Sequence, residues 1–400
     1  MWRTLTHWLL GPLASVWLLS RIRHDGEMTY PRDPPLSHGS GPDPDRVLLI
    51  GGAVVGGAGV ASYDLALGGR LARKLAARTG RGADVETRST LRYTTETAAA
   101  LLRDGSLDRF DAVVIILGVR EIMRMRPTAM WRRDVHALLD AIREIAPPSL
   151  PILLVGVAAF GRDMDVPRFV ERWLDETVAK HNDETRIACE LTGVAEYVPF
   201  EPTRNGIRWG RDASLVYESW ATALVPAVDR VLAAAQPQPR IGDSDEGARQ
   251  QAVADLGLLA AAPNPRLDQI VQMARGMLGL HAALTVVDED RLHVVATTWR
   301  PAAGPLPRRD TFTHLAIESP GVLVVPDADA VPEYRALRRA RPDDPVRFFA
   351  GYPLEAPGGQ RIGTLCVYDA DAREFSADDV SLLRDLALRA QTLLWEAGAQ

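Results

Sequence analysis

The sequence predicts an α/β domain built on a parallel sheet, followed by a smaller α+β domain with an antiparallel sheet. Three observations lead there. Short, nearly continuous apolar runs such as Ala-Val-Val-Ile-Ile-Leu at 112–117 alternate with helical-period segments up to residue 235. A strand buried on both faces of a parallel sheet reads that way. Residues 236–248 are polar and aperiodic, which marks a boundary. Beyond it come alternating strands at 281–287 and 293–298, the pattern of an antiparallel sheet.

The elements follow in order. Residues 1–29 carry an apolar helix, and 30–45, rich in proline and glycine, form an extended connector. The strand at 46–50 runs into the glycine-rich turn 51–59, and a helix follows at 63–78. Strands at 83–87, 112–117, 152–157 and 195–198 are separated by helices at 95–102, 129–145 and 166–182, with a closing helix at 217–235. Strands parted by helices make a three-layer domain over 46–235, with 236–248 as linker. The second domain, 249–400, has a helix at 267–278, further strands at 322–325, 348–354 and 361–368, and a long helix at 377–400.

Composition narrows the function. A net charge of −6 and a pI near 5.8 exclude a general nucleic-acid binder. The two cysteines, Cys189 and Cys366, share no metal-ligand spacing with histidines, which makes them reduced core thiols of a cytoplasmic protein. No metal or cofactor is expected. The apolar run 8–19 is too short to cross a bilayer, which takes about 20 residues. It is read as a helix docked on the body, with peripheral membrane contact and secretion as alternatives.

Four blocks in the first domain carry a resemblance. Gly51-Gly52-Ala53-Val54-Val55-Gly56-Gly57-Ala58-Gly59 resembles the Gly-Asp-Ser-x-x-x-Gly block of the SGNH (GDSL-type) hydrolases. Thr90-Leu91-Arg92-Tyr93-Thr94-Thr95 resembles the block that supplies a glycine N–H, and Gly118-Val119-Arg120-Glu121 resembles Gly-x-Asn-Asp. Residues 208–221 resemble the terminal block that carries the aspartate and histidine. The resemblance covers about residues 30–235 and implies a flavodoxin-like three-layer fold.

The family's catalytic residues do not carry over. Its serine falls on Ala53, its glycine on Arg92, its asparagine on Arg120, its histidine on Arg211 and its orienting aspartate on Arg208. The residues alone agree. No serine lies between Ile50 and Ala61, and no histidine between His181 and His281. Arginine stays protonated and cannot act as the base. The expected role of Arg92, Arg120 and Arg211 is twofold: they fill a disused cleft, paired with Glu121 and Asp212, or they join the turn's backbone N–H groups in an anion pocket. His136 and His181 are expected to be surface or packing residues.

The second domain resembles a GAF domain over about 249–397. The resemblance rests on Val286-Val287-Asp288-Glu289-Asp290-Arg291, Val324-Val325-Pro326-Asp327, Val346-Arg347-Phe348-Phe349-Ala350-Gly351-Tyr352-Pro353-Leu354 and Gly363-Thr364-Leu365-Cys366-Val367-Tyr368-Asp369. It implies an unidentified small-molecule ligand or a dimerisation role. The segment Phe312-Thr313-His314-Leu315-Ala316-Ile317 lacks the cysteine that some relatives use to attach a bilin. The expected pocket residues are Phe312, His314, Phe348, Phe349 and Tyr352, with ordinary core as their alternative fate. Val380, Leu382, Leu383, Leu386, Leu388 and Leu393 on the last helix are expected to supply a homodimer interface.

The reading that follows is a non-catalytic sensor in which a degenerate SGNH-like domain joins a GAF domain. An esterase with an unrecognised nucleophile and a membrane-associated scaffold are its alternatives.

Overall fold

A computed structural model describes residues 29–90, 93–103, 107–124, 126–161, 166–202, 213–234, 246–259, 264–299, 304–319, 321–339 and 346–398. The expected helix at 1–29, together with Arg92, Arg208, Arg211 and Asp212, lies outside them. The chain divides into two compact units, Met1–Gly39 with Asp45–Gln238 and Ser40–Pro44 with Pro239–Gln400.

In the first unit, strands β1 (Leu36–Gly39), β2 (Asp45–Gly51), β3 (Ala83–Ser89), β4 (Ala112–Ile116), β5 (Ile152–Val155) and β6 (Glu196–Val198) form one sheet. Its order is β1-β3-β2-β4-β5-β6. All pairs are parallel except β1 with β3, which is antiparallel. The proline-rich connector therefore contains a strand. Leu36 to Gly39 pair with Glu86 to Ala83, and His38 Nδ1 lies 2.7 Å from Asp84 Oδ1, so four residues without an apolar run form an edge strand through its pairing with β3.

Helices cover both faces. Side chains of a strand alternate, so Val47 and Leu49 of β2 face one layer while Leu48 and Ile50 face the other. The first layer is α1 (Leu67–Thr79) with α6 (Ala213–Ala234), through Leu67, Leu71 and Leu75 and through Tyr217, Leu224 and Val228. The second uses α2 (Thr95–Arg103), α4 (Thr128–Ile145) and α5 (Arg168–Thr192), with Trp131, Val135 and Leu138 central. The short α3 (Val119–Met123) follows β4 directly.

Some boundaries differ from the sequence reading. α5 runs ten residues past 182, because Thr185, Ala188 and Cys189 extend its buried stripe until Gly193 ends it in the left-handed region. α1 begins at 67, not 63, because residues 63–66 form turns closed by the Ala66 and Gly69 N–H groups donating to Tyr63 O. Asn182, inside α5, clamps the chain after β5: its side chain accepts from Val157 N (2.8 Å) and donates to Val157 O (2.9 Å).

The second unit holds an antiparallel sheet of order β10-β11-β12-β7-β8-β9. Its strands are β7 (His281–Asp288), β8 (Arg291–Thr297), β9 (Leu306–Pro307), β10 (Leu323–Val325), β11 (Phe348–Glu355) and β12 (Arg361–Asp369). Its helices are α7 (Glu246–Asp255), α8 (Pro265–Leu278), α9 (Phe312–Glu318), α10 (Pro332–Arg339) and α11 (Ala377–Gly398). The start of α8 is dictated locally: Asn264 accepts from Arg266 N at 3.0 Å and Pro265 occupies the first turn.

On one face of this sheet α7, α8 and α11 pack over Leu284, Val286, Ala350, Leu365 and Val367. Leu383, Leu386, Leu388 and Leu393 of α11 belong to that core. The expectation that they form a dimer interface is thereby corrected for these four. The amphipathic pattern of α11 comes from packing on its own sheet.

Candidate functional site

Two places merit a functional reading. The first lies beyond the carboxyl ends of β2 and β4. The chain leaves β2 toward β3 and later returns to β4 on its other side, so the helices diverge there and leave a crevice. Sequence reasoning placed Ala53 and Arg120 at this point, and the structure brings both to it, one after β2 and one in α3.

The second half of the glycine-rich turn, 56–59, spends its amides within the protein. Gly56 N donates to Gly52 O (2.9 Å), Gly57 N to Val54 O (3.2 Å), Ala58 N to Ala53 O (3.0 Å) and Gly59 N to Thr29 O (2.8 Å). Tyr217 fastens the turn from α6, its phenol donating to Ala58 O at 2.6 Å. Those four amides are therefore committed to backbone carbonyls of the protein itself.

Sequence reasoning missed the buried polar floor of this crevice. Tyr93 packs on Gly52, where a Cβ would meet the tyrosine Cβ at 3.4 Å. Its hydroxyl is buried without a hydrogen-bond partner. Glu121 is 4% exposed; its Oε1 accepts from Thr95 N at 3.2 Å, and its Oε2 is buried without a partner. Burial raises the Glu121 carboxyl above the usual range, against the lowering effects of two backbone N–H groups and of the Arg126 and Arg120 charges. Burial, and then the charge of Glu121, push the Tyr93 phenol well upward. The sequence signal available was an acid directly after Arg120, in a position read only as that arginine's counter-ion.

A carboxyl raised in the folded state binds its proton more tightly than the unfolded chain does. Its favourable contribution is complete below the ordinary carboxylate range and is lost as pH rises through the raised value. Glu121→Gln is therefore expected to unfold at higher denaturant than the parent at pH 8, by about 1–3 kcal/mol, the usual cost of a buried unsatisfied group. Urea titrations at pH 8 and pH 4 check this. The two proteins should converge at the lower pH.

His181 is packing, as its position on a helix implied. It is fully buried, its Nδ1 lies 2.9 Å from Thr177 O, and its ring rests 5.1 Å from that of Trp131. Burial lowers its pKa, which keeps the imidazole neutral. Cys189 is buried and in no disulfide, its thiol pushed up to about 11 by burial; Cys366 is also buried and in no disulfide, its thiol donating to Ala283 O at 3.4 Å.

The second place is the other face of the antiparallel sheet. Phe312 of α9 stacks on Phe349 of β11, ring centroids 5.4 Å apart and planes at 25°. Tyr334 meets Phe312 edge-on at 6.1 Å. Ala283, Ala316, Val325, Ala328 and Cys366 surround the pair. His314 lies on the same helix, its Nδ1 buried without a hydrogen-bond partner. Burial, then the Arg308 charge, lower its pKa despite Glu318.

The five expected pocket residues therefore do not converge. Phe348 and Tyr352 point to the opposite face, into the core beneath α8 and α11, where Phe348 packs on Phe375. The reason is the strand period of two, which sends neighbouring Phe348 and Phe349 to opposite sides. Of the five, Phe312 and Phe349 meet on the α9 side, while His314, also on α9, lies among the charges of Arg308, Glu318, Arg309 and Arg249.

Among the described residues no group of three His, Cys, Asp or Glu side chains could hold a metal ion. No described helix is long and apolar enough to cross a membrane.

The second unit is thus a six-stranded antiparallel sheet with helices on one face and a short aromatic-bearing helix on the other. The GAF domain family matches residues 263–394, and this part of the chain is a GAF domain. A cyclic di-GMP phosphodiesterase of Pseudomonas aeruginosa is 33% identical over 150 residues. That match covers 36% of this chain and 24% of the relative, so the chain spans about a quarter of the length of the curated relative. Among solved structures, the free methionine-R-sulfoxide reductase of Neisseria meningitidis is 22% identical, covering 39% of this chain and 94% of its own, with a TM-score of 0.29. The GAF domain of an Acinetobacter phosphoenolpyruvate-protein phosphotransferase is 14% identical, covering 38% and 94%, with a TM-score of 0.30.

Proposed function

We propose that the protein is a non-catalytic sensor, in which a GAF domain over 249–400 takes a small ligand and an SGNH-hydrolase-like domain over 46–235 serves as the regulated or anchoring body. The observation that carries the reading is the GAF match at 263–394, together with the Phe312–Phe349 face under α9. Apolar walls with a few inward polar groups are the usual lining of a small-molecule site, and Phe312, Phe349 and His314 supply them here.

In the first domain the reading follows from what stands at the crevice. Ala53 has no group able to attack an acyl carbon, and the segment after His181 contains no histidine to take a proton. Arg92, Arg120 and Arg211 remain our candidates for binding an anionic ligand or filling the vacated cleft. Cytoplasmic placement follows from two thiols held apart and reduced, and self-association as a homodimer is part of the proposal. Residues 1–23 are offered as a peripheral membrane contact.

Thermal shift of the full chain against nucleotides, cyclic nucleotides, amino acids and short dicarboxylates tests the sensory half. At least one compound is expected to raise the melting temperature, and Phe312→Leu with Phe349→Leu is expected to abolish that rise while preserving the fold. A panel without effect, or a shift indifferent to both changes, would count against the reading.

A further inference from the structure

A second constellation in the GAF unit gathers around α9, from the turn before it to its last residue, Glu318. Arg249 of α7 and Arg308, in the turn before α9, are 3% and 5% exposed. Guanidinium groups buried this deeply need compensating carboxylates. Glu246, also on α7, contacts Arg249, and its two oxygens take Arg308 Nη1 at 2.9 and 3.0 Å. Glu318, the last residue of α9, lies 3.7 Å from Arg308 Nη2 and 3.8 Å from Arg249 Nη2. Both glutamates are about half exposed, while both arginines are not.

Two further contacts make this an assembled cluster. Arg308 donates to Glu289 O at 3.1 Å, in the β7–β8 turn, where Glu289 has a φ of 46°. Arg361, 4% exposed, donates to Ile317 O (3.1 Å) and Glu318 O (3.2 Å) and so fixes the end of α9. The seven-residue α9 therefore bridges two places: Phe312 on the aromatic face and Glu318 on the arginine pair. α7 lies outside the segment that matches the GAF family, and its first turn, from Glu246, falls within the 236–248 segment read from the sequence as a linker. Besides Arg249, Val253 is its buried residue.

We propose that α7 is a releasable strap whose attachment is read from the position of α9, through Glu318 and Glu246 sharing the buried pair Arg249 and Arg308. A ligand that displaces Phe312 from Phe349 moves a helix only two turns long, and withdraws Glu318 from the pair. Arg249 and Arg308 then lose one of the carboxylates they share, and the strap that carries Arg249 loosens. The device links the aromatic face to the chain segment that leads out of the domain. Its sensory use rests on the reading above; the coupling between α9 and α7 needs no ligand.

Amide hydrogen exchange on the full chain tests the coupling directly, with residues 246–255 and 312–318 as reporters and β12 as control. Glu318→Gln is expected to speed exchange in α7 by about tenfold, as an opened local unit does. Glu246→Gln, which weakens the same shared pair from the α7 side, is expected in turn to speed exchange in α9. Phe349→Leu, whose site belongs to the α9 side of the sheet, is expected to raise α7 exchange as well. Exchange in β12 stays unchanged in all three.

If Glu246→Gln loosens α7 while α9 is unaffected, or if Glu318→Gln leaves α7 at its parent rate, the strap is overturned. Loss of protection in β12 would mean that a variant had unfolded. Glu318→Asp then replaces it, since it keeps the charge but withdraws it by one methylene, and the same two outcomes apply. A protein that shows the coupling yet binds nothing in the panel keeps the strap and loses the sensor.

Discussion

Gly118→Ala is expected to destabilise the first unit by about 2–5 kcal/mol, combining overpacking with left-handed backbone strain. Gly118 ends the approach to the crevice at a φ of 93°, a region that side-chain-bearing residues rarely adopt. A Cβ there would lie 2.5 Å from Val157 Cγ2 and 3.1 Å from Trp131 Cη2. Neither neighbour is free to yield. Asn182 clamps Val157 by both backbone groups, and the Trp131 indole N–H donates to His181 O (3.0 Å) and Thr185 Oγ1 (3.1 Å). Loss of that much from a domain stability of about 5–15 kcal/mol leaves a partly unfolded population at room temperature. Urea unfolding followed by circular dichroism should show an early transition for the first unit, with the second unit's transition in place. An unshifted midpoint would mean that Trp131 and Val157 have room that the packing denies them.

Phe348→Ala is expected to cost the GAF domain about 3–5 kcal/mol, the range for truncating a fully buried phenylalanine. Phe348 is 0% exposed and sits on the helix side of β11, packed on Phe375 with ring centroids 5.4 Å apart. Its neighbour Phe349 faces the other way, against Phe312. The pair thus separates stability from recognition. Phe348→Ala should lower the second transition in denaturant, whereas Phe349→Leu should leave that transition near the parent value and alter ligand response. Equal loss of stability from both changes would show that the α9 side is core in the same sense as the helix side.

Much of this was legible in the sequence, for identifiable reasons. Residues 112–117 and 152–155 are apolar without interruption, and both became central strands covered on both faces. The lack of a serine between Ile50 and Ala61 is read from composition alone. Other features depended on three dimensions. The strand at 36–39 has no periodic signal and exists through its pairing with β3. Tyr93 and Glu121 became a buried polar pair only once the start of α2 and α3 had closed over them. The separation of Phe348 from Phe349, by contrast, follows from the pleat and could have been read from adjacency alone. The Arg249–Glu246–Arg308–Glu318 cluster joins residues up to 72 positions apart, from 246 to 318, beyond the reach of any local pattern.

The most direct test of the proposal, a sensor whose first domain is a disused hydrolase frame, is the turnover of a chromogenic acetate by purified full-length protein, with fluorophosphonate labelling alongside. We expect hydrolysis at the rate of buffer alone, no label, and no gain from Ala53→Ser, since a restored hydroxyl would still lack a base. Saturable turnover that disappears in Glu121→Gln would place a working acid in the crevice and contradict the account.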